Sequence, residues 1–256
     1  SAVTRRRAAN GSGPYRAVSM SIYPLHPSPK PHGRDRAMLD RTAEALGRTF
    51  GLDGAAQGSW GNWSHLGELL PSQPAFVLRR TPASGGLSLD TQRWDISGGA
   101  GCWPTTWILS MSLPWWRRLA TRPAQRCLIP VTACAAPLPP RDGRDGRSGW
   151  FTMIEEPVFT IAGLWRDTGD ARCFAMLACP TDGPFPVMPV VIAAGDRATW
   201  LDADWDVAAP LMTAVGPERI RIGLSENDAP FYAEEDVDRY SDRSPAGMAT
   251  RSVTGY

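Results

Sequence analysis

Five cysteines, at positions 102, 127, 134, 173 and 179, head the residues that could do chemistry. No two stand in a Cys-x-x-Cys pair, so their spacing supports neither a zinc site nor a dithiol redox motif. The expected state is reduced, buried thiols in a cytosolic protein. The histidines are His26, His32 and His65, all before the middle of the chain. Glu155 and Glu156 follow an apolar run and either approach a cleft or cap a turn at the surface. A serine such as Ser12 acts as a nucleophile only beside a base, and no Ser/His/Asp set or paired carboxylate is evident. The run Gly98-Gly99-Ala100-Gly101 is not followed by Lys-Ser/Thr and so is not a phosphate loop. Two basic-aromatic clusters remain, Arg93-Trp94 and Trp115-Trp116-Arg117-Arg118. Such residues offer rings for stacking on bases and guanidinium groups for phosphate.

The chain that must position these groups has 256 residues, enough for one large domain or two small ones. It is 43% hydrophobic and 21% charged, a globular composition, and its formal net charge of +1 leaves no overall footprint for nucleic acid or an anionic membrane. A local basic patch is compatible with that balance. The 24 prolines and 25 glycines imply many turns and few long helices. Eleven tryptophans are either large core residues or an aromatic interface. No run of 18 apolar residues offers a membrane span. The start, Ser1-Ala2-Val3-Thr4-Arg5-Arg6-Arg7, lacks the apolar core of a signal peptide, so the expected location is cytoplasmic.

Residues 1–33 read as a polar arm with a basic cluster at Arg5, Arg6 and Arg7 and an extended Pro-rich part. Leu39, Ala43, Leu46 and Phe50 fall at helical spacing, which predicts a helix over 34–50 closed by Gly51. Strands are predicted over 74–80 and 87–96, with a further one over 107–113, and a short helix over 114–119 starts on a proline. Arg126 to Ala136 reads as one buried strand running into a turn, and 138–149 as an exposed, charged hairpin turn. Short apolar runs at 150–154, 158–165, 173–178 and 188–193 read as antiparallel strands of a barrel or sandwich. A helix over 196–214 and a strand over 219–223 follow, and 225–256 is an acidic, then Ser/Arg/Gly-rich tail.

Several of these segments form an ordered set. Ser12-Gly13-Pro14-Tyr15-Arg16, Arg93-Trp94-Asp95-Ile96, Leu113-Pro114-Trp115-Trp116-Arg117-Arg118, Arg126-Cys127-Leu128-Ile129-Pro130, Ala162-Gly163-Leu164-Trp165 and Met188-Pro189-Val190-Val191-Ile192 occur in that order. The set resembles the motifs of the SOS-response-associated peptidase (SRAP) family, which senses abasic sites in single-stranded DNA and cross-links to them. The resemblance implies an α+β, mainly β fold: antiparallel strands forming a barrel-like core with short peripheral helices. It also implies a single domain over 12–224, between an N-terminal arm (1–11) and a C-terminal extension (225–256).

The family's chemistry needs an N-terminal cysteine that supplies thiol and α-amine, an asparagine, a glutamate and a histidine. A free α-amine titrates near 8 and so forms imines at neutral pH. The positions that the resemblance matches to these groups are Ser12, preceded by residues 1–11, then Trp107, Ala136 and Phe185, or Pro184 with the gap placed differently. The family's DNA-contacting arginine falls at Leu109. The resemblance therefore implies a pseudoenzyme with no intact catalytic residue, no metal and no cofactor. Filling the former pocket with Trp107 and Phe185 is more economical than lining an open one with them. The four positions are expected to lie close together in space.

Two functions compete. One is a scaffold or binding module, contacting another protein or a larger assembly through the N-terminal arm and C-terminal tail. The other is binding of single-stranded or abasic DNA through Arg93, Trp94, Trp115, Trp116, Arg117 and Arg118. A residual hydrolase with an unrecognised nucleophile is the third and weakest reading.

Overall fold

The computed structural model describes residues 35–52, 67–81, 85–96, 105–139 and 148–223. The proposed domain ends, both terminal extensions, Ser12, the three histidines and the Gly98–Gly101 run lie outside the described residues. In chain order the described elements are β1 (Ala37–Leu39), α1 (Ala43–Phe50), β2 (Gly67–Leu69), β3 (Pro74–Arg80), β4 (Leu87–Trp94), β5 (Trp107–Ile108), α2 (Pro114–Ala120), β6 (Arg126–Val131), β7 (Ala133–Pro137), β8 (Ser148–Met153), β9 (Phe159–Asp167), β10 (Arg172–Pro180), β11 (Val187–Pro189), β12 (Val191–Ile192), α3 (Arg197–Asp202), α4 (Trp205–Ala208) and β13 (Ile220–Gly223). The class is α+β and mainly β.

Two sheets share one apolar core. The smaller runs β13-β8-β7-β1-β2, antiparallel throughout. The larger runs β11-β10-β4-β3-β6-β9-β12, with β5 attached to β10. Because β9 also pairs with β10, the strands β10, β4, β3, β6 and β9 make a circuit. Its seams are thin: β3 meets β6 through the single pair Leu78–Leu128, and β4 meets β10 through two pairs. The expected barrel is therefore not a true closed barrel. Nor is it wholly antiparallel, since β10 runs parallel to both β4 and β5.

The stretch from Arg126 to Ala136 is two strands rather than one. All six residues of β6 are buried between β3 and β9. At Thr132 the chain leaves the larger sheet. Thr132 donates its N–H to the carbonyl of Met38 at 2.7 Å, and β7 continues in the smaller sheet between β1 and β8. Pro130 lies beyond the single pairing to β3, so its missing N–H interrupts no ladder on that side.

The predicted helix over 34–50 begins later than its periodicity suggests. Leu39 belongs to β1, and Thr42 opens α1 by accepting the N–H of Ala45 at 3.2 Å. Gly51 closes it at φ 62°, the left-handed conformation that glycine adopts without a Cβ penalty. The expected strand over 107–113 shrinks to β5. The predicted helix over 196–214 divides into α3 and α4 at Ala203, whose ψ of 160° is extended. Arg126 donates Nη2 to the carbonyl of Ala203. Trp200 of α3 donates its indole N–H to the carbonyl of Cys127 at 2.9 Å, which fixes the helix on β6.

Candidate functional site

Ala136 and Phe185 come together on the smaller sheet. Ala136 pairs with Gly149 across β7 and β8, and a Cβ built on Gly149 would lie 2.9 Å from Cε1 of Phe185. Glycine is needed there because the ring rests on the strand itself. Phe185 is 0% exposed and packs with Phe151 at 6.0 Å between ring centroids, while Leu138 crowds the same glycine. Ala136 is 1% exposed. A carboxylate at 136 or an imidazole at 185 would sit among carbon atoms. None of the side chains of Ala136, Leu138, Phe151 and Phe185 is a proton donor, acceptor or nucleophile.

Trp107 is half-buried on β5, paired with Met176 of β10, with its ring edge-on to Trp94 at 5.7 Å. Strand β11, which follows Phe185, lies on the opposite edge of β10, the one that faces β9. Ser12 lies outside the described residues. Leu109 is 58% exposed, so an apolar side chain meets solvent where the resemblance puts a DNA-contacting arginine.

The six residues named for stacking and phosphate contact divide in two. Trp94 is core. It is 0% exposed, donates its indole N–H to the carbonyl of Thr106 at 3.0 Å and stacks on Phe174 at 6.4 Å. It has no free face for a base, which corrects its place in the binding set. Its neighbour Arg93 donates Nε to Asp95 at 2.6 Å, and that hydrogen bond raises the guanidinium pKa.

Trp115, Trp116, Arg117 and Arg118 share α2. Pro114 occupies its first turn, where a missing N–H costs nothing, and Leu119 and Ala120 anchor its far end in the core. The two indoles are half-buried with centroids 4.8 Å apart, and the Arg166 guanidinium lies 5.3 Å over Trp115. Arg117 and Arg118 are exposed and have no carboxylate partner among the described residues. Pro114, Trp115, Arg118 and Leu119 line an open cavity of about 460 Å³. Leu113, just before the helix, is 58% exposed like Leu109.

The residue types alone gave no binding role to Leu109, Leu113, Arg122 or Arg166. A signal was present: between Ser97 and Arg141 the chain has five arginines and no Asp or Glu, inside a protein of net charge +1. The basic patch is segmental, and a whole-chain balance hides it.

The other candidates are structural. Burial pushes the thiols of Cys127 and Cys134 up, so neither is a thiolate at neutral pH. Glu156 pairs with Arg197 and accepts the N–H of Ala194 at 3.2 Å, and Glu155 is exposed 3.8 Å from Arg219. Glu155 is a surface residue, and Glu156 is a partly buried ion-pair partner. Among the described residues no group of three or more His, Cys, Asp or Glu is placed to hold a metal ion. No described helix is long and apolar enough to cross a membrane.

No family model matches the sequence, and no curated protein matches it. Solved structures are similar in fold. A structural-genomics crystal structure of a Bordetella bronchiseptica protein has 19% identity and a TM-score of 0.59, covering 75% of this chain and 99% of its own. A Bacteroides thetaiotaomicron protein has 13% identity and a TM-score of 0.57, covering 73% and 90%. A phage-related protein of B. bronchiseptica has 13% identity and a TM-score of 0.55, covering 73% and 92%. At such identities the likeness is one of fold.

Proposed function

We propose that the protein is a catalytically inactive binding module with an SRAP-like fold. It serves as a scaffold or fixed subunit and engages a partner protein through α2 and the loop before it. The observation that carries this reading is Phe185 resting on Gly149 beside Ala136, so that apolar core occupies the positions matched to the family's histidine and glutamate. The reading of α2 as the binding face is supported by its exposed leucines, paired indoles and arginines without carboxylate partners.

Incubation with single-stranded DNA carrying one abasic site tests it, read on denaturing and native gels. No shifted band on either gel is expected. A band that survives denaturation would overturn the inactive reading, because a covalent bond must then form.

One observation favours a second reading. Half-exposed Trp115 and Trp116 beside Arg117 and Arg118 are suited to stacking on bases and pairing with phosphate. On that reading the DNA shifts on the native gel alone, the shift weakens steeply with salt, and Trp115→Ala abolishes it.

A further inference from the structure

We propose that residues 231–238, Phe-Tyr-Ala-Glu-Glu-Asp-Val-Asp, dock in cis on the α2 face. The inference rests on the reading of that face as the binding surface, and it names what competes for it.

Along the sequence the face is apolar first and cationic after. Leu109 and Leu113 are each 58% exposed, and the cavity beside Trp115 is walled by Pro114, Leu119 and Arg118. Arg117, Arg118 and Arg122 follow, with no carboxylate partner among the described residues. These three exposed arginines give the face three positive charges, and no Asp or Glu occurs from Ser97 to Arg141.

The opposite composition is densest near the C-terminus. Residues 226–238 hold six acidic side chains and no basic one, with Phe231 and Tyr232 just before the run Glu234-Glu235-Asp236. Two aromatic rings followed by carboxylates repeat, with opposite charge, the order of the face: apolar, then basic. A ring in the apolar cavity removes exposed surface from water, and carboxylates on guanidinium groups form charge-assisted pairs.

Reach and concentration complete the case. The last described strand ends at Gly223. The eight residues from there to Phe231 span about 26 Å when extended, comparable to the roughly 30 Å diameter of a small domain. A tethered segment also acts at an effective concentration in the millimolar range, so weak contacts suffice.

The sequence supplies its own reporter, because Lys30 is its only lysine. In the full chain, Arg118→Lys places a new amine on the face. Zero-length carbodiimide coupling at low protein concentration should then join that amine to Glu234, Glu235, Asp236 or Asp238, read by peptide mass spectrometry. The yield should fall several-fold between about 0.05 and 0.5 M salt, as the Debye length shrinks. Neutralising the tail with Glu234→Gln, Glu235→Gln and Asp236→Asn should speed amide hydrogen exchange of residues 109–122 at least about threefold, if docking protects most of the population.

Links confined to carboxylates of the folded domain, or exchange unchanged by tail neutralisation, would overturn the proposal. So would links found only between isotopically distinct copies, which would make the occupant a second molecule. Neither experiment contains DNA or a partner, so failure here is distinguishable from failure of the proposed function.

Discussion

Phe185 carries the central assignment at the scale of single residues. It is fully buried against Phe151 and Gly149, so it behaves as a core side chain. Phe185→Ala should destabilise the protein by about 3–5 kcal/mol, the range for deleting a buried aromatic ring. Urea unfolding checks this, and a change under about 1 kcal/mol would mean that the ring lines an open space. Cys127 and Cys134, both 0% exposed with thiols held protonated by burial, should resist iodoacetamide in the native protein and react once it unfolds. Native labelling of either at the rate of a free thiol would contradict the packing.

The sequence was a poor guide to the tryptophans, and the reason is physical. A tryptophan in the core and one on a binding surface are the same residue type, each beside arginine in both motifs. Trp94 and Trp115 differ only in what packs over them. Arg93 turns to Asp95 while its neighbouring ring goes inward, whereas α2 keeps Trp115 and Trp116 at its half-exposed edge.

At the scale of elements, strand positions were more legible than helix ends. Strand β3 occupies the predicted residues because turn signals bracket a run of β-formers. The division of the C-terminal helix was not legible, since the group that accepts Arg126 is the backbone carbonyl of Ala203, 77 residues away. The change of sheet at Thr132 was hidden by uniform burial, which removes the alternation that locates a strand.

Gly163 of β9 faces the tightest of these packings. A Cβ there would lie 2.4 Å from Ile129 Cδ1 and 3.0 Å from the carbonyl of Ala175, so Gly163→Ala should cost about 1–3 kcal/mol by overpacking. Thermal unfolding checks it, and an unchanged midpoint would contradict the close approach of β9 to its neighbours. On β4, burial would raise the Asp90 carboxyl, but hydrogen bonds from Arg172 at 2.5 Å and Arg79 at 3.0 Å outweigh it and hold the pKa below the usual value. Stability from Asp90 is therefore present above its unfolded pKa of about 3.9 and lost as pH falls through the lower folded one. Asp90→Asn should cost about 1.5–3 kcal/mol at neutral pH. The deficit should vanish in acid, and a deficit independent of pH would contradict the ion-pair role.

At the scale of the whole chain, the described strands form two sheets over one core. Ala37 and Phe151 from the smaller sheet lie in the same buried cluster as Phe76, Ile161 and Met176 from the larger. The family resemblance made the mainly β class legible, whereas the incomplete circuit of strands depends on pairings between distant segments that local patterns do not encode. Because both sheets contribute to that cluster, a charge placed in it should destabilise both.

Ala136→Glu, followed by urea unfolding across pH, tests that account most directly. If position 136 is core, the variant loses about 4 kcal/mol at neutral pH, because a buried unpaired carboxylate is strongly disfavoured. The loss should narrow toward pH 4, as the introduced acid becomes protonated in the unfolded state as well. A change under about 0.5 kcal/mol at neutral pH, the size of an ordinary surface substitution, would place position 136 in a solvated cleft and contradict the inactive, filled-pocket account.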